Sequence, residues 1–90
     1  MLTNNLRESI NAHVADILKE LREKQKISLG QIARKAGLAR QTIAFVEKKV
    51  QSPSLDTLLR IGSALNVDLA KIIARAQKRA SKKTPPAVKP

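Results

Sequence analysis

Residues 28–48 read SLGQIARKAGLARQTIAFVEK, and the rest of the chain is read outward from them. Ser28 followed three residues later by Gln31 has the form of a capping box, in which each partner satisfies a backbone N–H that the first helical turn leaves open. The helix it opens starts at Leu29 and puts Ile32, Ala33 and Ala36 on one face. Gly37 stands where such a helix ends in a left-handed turn, a conformation without penalty when there is no Cβ. A second helix follows at once, from Arg40 to Lys48. Its apolar residues Ile43 and Val46 are three apart, which leaves Arg40, Gln41, Ala44, Phe45 and Lys48 to the other side. Two short helices joined by a three-residue, glycine-led turn must cross steeply, and Ala33 is small enough to let the backbones approach.

In these residues the chain resembles the Xre family, the helix-turn-helix proteins of the Cro and phage-repressor type. The similarity runs from about Ile17 to Ile73. It is carried by Leu21 and Arg22, Ile32 and Ala33, the Gly37-Leu38 turn, Thr42 with Ile43, Val46-Glu47, Pro53-Ser54-Leu55, Leu58 and Leu65. The resemblance implies an all-α fold: a five-helix, lambda-repressor-like DNA-binding domain, here with an extended first helix. Its second helix would lie over the DNA backbone and its third would read the major groove. It also implies a buried ion pair between Arg22 and Glu47. Carried over by position, the base-contacting side chains are Arg40, Gln41, Ala44 and Phe45. Arg40 can pair bidentately with guanine, Gln41 with adenine, and Ala44 and Phe45 can meet a thymine methyl.

Phosphate contacts are expected from Thr42, Lys48 and Lys49, and from Gly30 and Gln31 at a helix N-terminus, where the dipole favours anions. Arg34 and Lys35 can flank the same backbone, or simply form a solvated face. The family pattern is broken in several places. Leu29 replaces a Gln that usually binds phosphate, and Gly30 costs about 1 kcal/mol in a helix relative to Ala. Ala39 cannot cap the third helix, a loss of about 1 kcal/mol. Lys49 stands where Gly is common, so a left-handed turn there would cost about 1 kcal/mol.

With 90 residues there is room for one domain. A single Phe and no Tyr or Trp argue against a base-stacking module for RNA or single strands. The absence of cysteine excludes disulfides and thiolate metal sites. No apolar run approaches the roughly 20 residues of a membrane span, and no signal-peptide pattern opens the chain, so the expected location is cytoplasmic and nucleoid-associated. The net charge of +11 is concentrated. Residues 34–50 carry five cations against one acid, residues 71–90 carry seven cations and no acid, and residues 51–70 have a net charge of −1. Such a distribution suits a polyanion.

Around this unit, Asn5 with Glu8 can cap a first helix whose apolar stripe is Leu6, Ile10, Val14, Ile17, Leu18 and Leu21. Residues 1–12 extend it past the family pattern, either to pack on their own domain or to meet a second subunit. His13 has no partner in sight and reads as a surface or interface residue. Glu20 and Lys24 form an exposed pair four apart. The fourth helix is capped by Ser54 or Ser52, with Leu55, Leu58, Leu59, Gly62 and Leu65 as its buried stripe. Asn66 ends it and Asp68 caps a fifth helix, in which Leu69 and Ile72 are core and Ile73 and Ala76 are candidates for a dimer contact. The domain is thus expected over residues 13–77, followed by a flexible basic tail over 78–90.

Nothing in the chain supports catalysis, and no cofactor or metal is implied. The reading is a sequence-specific, double-stranded DNA-binding transcriptional regulator, a dimeric repressor on a palindromic operator read by helix 40–48. The alternatives are an antitoxin of the same fold with a toxin protein as partner, and a non-specific nucleoid-type protein.

Overall fold

The computed structural model describes residues 4–83. Five helices follow in order: α1 (Asn4–Lys24), α2 (Leu29–Ala36), α3 (Arg40–Glu47), α4 (Leu55–Ala64) and α5 (Leu69–Lys83). Their shared core is aliphatic: Val14, Ala15, Ile17 and Leu18 from α1, Ile32 and Ala33 from α2, Ile43 and Val46 from α3, then Ile61, Leu65, Leu69, Ile72 and Ala76. Each fully buried Leu or Ile side chain contributes about 1.5–3 kcal/mol. That burial holds together helices which, at eight residues for α2 and for α3, are too short to persist alone.

Four of the helices stop in the same way. Lys26, Gly37, Lys49 and Asn66 adopt left-handed backbone with φ of 59°, 69°, 63° and 60°. In each case the next residue, Ile27, Leu38, Val50 or Val67, donates its N–H back to the carbonyl of the residue five earlier. This is the Schellman arrangement, which satisfies carbonyls that a helix end leaves open and turns an aliphatic residue back toward the last turn. Helix starts are equally local. Ser54 Oγ accepts from Thr57 N at 3.1 Å and Asp68 Oδ1 accepts from Ala70 N at 3.0 Å.

Several expectations need correction. The first helix is already under way at Asn4, so Asn5 is not its cap. Leu55 and Leu59 are 62 % and 51 % exposed rather than buried, because Leu58, Ile61, Gly62 and Leu65 complete the inward stripe of α4 without them. The polar end of the chain does not leave the fold at residue 78. Helix α5 continues to Lys83 and Ala80 is fully buried. Ala76 is also fully buried inside the protomer, which removes it as a dimer contact. His13 is only 7 % exposed and its Nδ1 has no hydrogen-bond partner. Glu20 reaches across to Arg79 at 3.0 Å instead of pairing with Lys24. These last changes share one cause: α1 and α5 are both longer than the family pattern and cover one another. Leu2 and residues 84–90 of the expected tail lie outside the described residues.

Candidate nucleic-acid interface

Helix α3 is held at its two ends rather than by its own cap. Ala39 offers no side-chain bond, and the first turn closes through its carbonyl, which accepts from Thr42 N at 3.0 Å and from Ile43 N at 3.4 Å. Before it, the Gly37 corner is fixed by Leu38 N to Ala33 O at 2.9 Å. A Cβ on Gly37 would come within 3.2 Å of Arg60 Nη1, whose guanidinium is engaged by Asp56 at 2.8 Å. The positive φ therefore favours glycine at this corner, and any side chain there would also have to displace the tip of Arg60.

At the far end Arg22 grips Glu47 with two bonds, Nε to Oε2 at 2.6 Å and Nη2 to Oε1 at 3.0 Å, while Nη1 donates to Ile27 O at 2.8 Å. The side chains are 12 % and 10 % exposed. Hydrogen bonding to Glu47 outweighs the opposing effect of burial and raises the Arg22 pKa above its ordinary value. The bidentate pair thus ties α1 to the last turn of α3 and fixes how far α3 projects.

With Ile43 and Val46 buried, the outward flank of α3 is settled. Arg40, Gln41 and Lys48 are exposed; Thr42 and Ala44 are half-buried. Phe45, expected on the exposed side, is half-buried as well, and the left-handed turn at Lys49 brings Val50 N back to Phe45 O at 3.0 Å. Lys49 keeps the left-handed turn despite its side chain, and its Nζ lies 2.7 Å from Asp16 Oδ1. Of the cations expected to meet phosphate it is therefore the one already engaged, although both side chains are well exposed and the pair is worth less than about 1 kcal/mol.

Helix α2 presents a second set. Ser28 Oγ accepts from Gln31 N at 3.1 Å and Gln31 Oε1 accepts from Ser28 N at 2.9 Å, so the capping box is complete. The backbone N–H of Gln31 is consequently occupied, which leaves those of Leu29 and Gly30 directed out of the helix start. A Cβ on Gly30 would meet nothing nearer than Ser28 Oγ at 4.0 Å, so packing does not demand glycine there. Arg34 and Lys35 are exposed on the same helix and, with Gln25, Lys26, Ile27 and Gln31, line a shallow notch. Lys26 was missed in the sequence. Its signal is a polar residue followed by an aliphatic at a helix end, the same pattern as Lys49-Val50 and Asn66-Val67. Among the described residues, Arg34, Lys35, Arg40, Gln41 and Lys48 make no side-chain hydrogen bond or ion pair.

Among the described residues, no group of His, Asp and Glu could hold a metal ion, and no helix is long and apolar enough to cross a membrane. What the geometry offers is a row of free cationic and amide donors on a projecting helix, flanked by a helix start.

The family model described as Helix-turn-helix matches residues 18–72. A provisionally named HTH-type transcriptional regulatory protein of Methanocaldococcus jannaschii is 42 % identical over 55 residues, covering 61 % of this chain and 17 % of its own length. The immunity repressor protein of Bacillus phage phi105 is 33 % identical over 60 residues, 67 % of this chain and 42 % of the repressor. The HTH-type transcriptional regulator SutR of Escherichia coli is 29 % identical over 70 residues, 78 % of this chain and 39 % of the regulator. The chain therefore spans less than half the length of each of these relatives. No solved structure gives a significant match. The matched segment takes in both short helices, the Gly37 corner and the Arg22–Glu47 clasp, and on that basis the chain belongs to the helix-turn-helix family of the Xre and Cro type.

Proposed function

We propose that the chain binds double-stranded DNA with α3 in the major groove and regulates transcription as a dimer on a two-fold operator. The observation that carries this reading is the outward flank of α3, where Arg40 and Gln41 are exposed and unengaged on a helix clasped at both ends. A donor pair held in that way loses little freedom on meeting a base edge, and each bidentate contact discriminates by about 1–3 kcal/mol. Ala44 and the accessible part of Phe45 supply apolar contact to thymine methyls. Gly30, Gln31, Arg34, Lys35, Thr42 and Lys48 set the register on phosphates, and Lys49 joins them by exchanging Asp16 for a phosphate. The names of the phage and E. coli relatives support a role in transcription, repression included.

The dimer rests on α4. Leu55 and Leu59 lie one turn apart and are both more than half exposed, in the segment 51–70 whose net charge is −1. A second copy meets little like-charge repulsion there, unlike over the basic segments 34–50 and 71–90.

The test is selection of binding sites from random duplexes at physiological salt, for the wild type and for Arg40→Ala and Gln41→Ala. The wild type should enrich an inverted repeat. Each variant should keep weak binding and lose preference at one position of each half-site. Equal enrichment of all sequences by the wild type would replace this reading with a non-specific nucleoid-type protein.

A further inference from the structure

Helix α1 separates two basic faces. Glu20 reaches Arg79 of α5, and Arg22 reaches Glu47 of α3. Residues two apart on a helix point about 160° apart around its axis, and α3 and α5 hardly touch each other. On α5 the buried positions are Leu69, Ile72, Ala76 and Ala80. Directly opposite them, at spacings of four and three, stand Lys71, Arg75 and Lys78, all exposed. Residues 69–83 contain no acid. Asp68 caps the helix start, and Glu20 is bonded to Arg79. Among the described residues Lys71, Arg75 and Lys78 have no salt-bridge partner.

We propose that this outer face of α5 is a second phosphate-binding surface, which takes the backbone of a second DNA segment while α3 occupies the first, so that the protein bridges duplexes. The inference rests on the α3 reading for the first duplex. Other polyanions fit the face less well. Ala74 is the only apolar side chain within the row, too little for the dehydrated centre of a protein interface. There is no aromatic on α5 on which single-stranded bases could stack. Its apolar stripe is spent on α1, which leaves no face to lie in a membrane. A straight row of cations with free side chains matches a regular, rigid array of phosphates. Because such contacts act by counterion release, three of them weaken the second binding step roughly forty-fold when salt rises from 50 to 200 mM.

The experiment uses the full chain with two 24-base-pair duplexes, one carrying a donor dye and one an acceptor, and reads energy transfer between them alongside binding to a single duplex. Wild-type protein should bring the duplexes together, with the stated salt dependence. Lys71→Glu/Arg75→Glu/Lys78→Glu should bind a single duplex within about threefold of wild type and lose transfer more than tenfold. The milder triple Ala variant, matched to wild type by circular dichroism, should lose most of it. Transfer that survives both variants would mean that two α3 helices of a dimer join the duplexes and would overturn the proposal. So would no transfer with wild type, or preferential capture of an RNA hairpin over the second duplex. The α3 reading fails separately, if Arg40→Ala leaves single-duplex binding and preference unchanged.

Discussion

The α2–α3 corner and the α1–α5 pair are both basic and both amphipathic, yet they are stabilised by opposite means. In the long pair, with 21 and 15 residues, a continuous seam of Val14, Ile17 and Leu18 against Leu69, Ile72, Ala76 and Ala80 does the holding. In the corner, helices of eight residues have little seam of their own and are positioned by end chemistry: the Ser28–Gln31 box, the left-handed Gly37 and the Arg22–Glu47 clasp. Fixing a helix through its ends leaves its flank free of obligations. That is why Arg40 and Gln41 stand unengaged while Arg79, on the long pair, is committed to Glu20.

The strongest way to break this contrast is Glu47→Ala. It removes the clasp and leaves the Arg22 guanidinium largely buried with one of its three bonds, so it should cost about 3 kcal/mol in denaturant unfolding. A loss under 1 kcal/mol would mean that the seam alone carries the corner.

A smaller effect separates the helix ends. Lys26→Gly relieves a left-handed conformation that costs a side chain about 1 kcal/mol, and should raise stability by close to that amount. Lys49→Gly relieves the same strain but gives up the Asp16 pair, so it should gain less. Thermal unfolding of the two variants side by side reads the difference.

The smallest effect belongs to the long pair. The bond from Arg79 holds the Glu20 carboxyl below its ordinary pKa. A depressed carboxylate contributes stability above its unfolded pKa and loses it as pH falls through the folded one. In acid below the usual Glu range, amide exchange near Arg79 and Ala80 should therefore quicken relative to Leu69. Glu20→Gln should abolish that pH dependence.

What could be read from the sequence was what is local. The capping box at Ser28, the caps at Ser54 and Asp68, the turns at Gly37 and Asn66, and the inward pair Ile43 and Val46 all depend on residues within a few positions of one another. The burial of His13 and Ala80 was not legible, because each depends on two helices sixty residues apart both overrunning the family pattern. The exposure of Leu55 and Leu59 escaped for a related reason. An i, i+4 pair of leucines marks a face, but not whether the stripe beside it already fills the core.

The central claim is that the flank of α3, presented by these end constraints, is the surface that meets base pairs. Amide chemical-shift mapping of the isotopically labelled chain, titrated with its selected duplex, tests it most directly. The largest perturbations should run from Arg40 to Phe45, with a second set at Leu29 and Gly30. Perturbations confined to α5, with α3 unmoved, would contradict it.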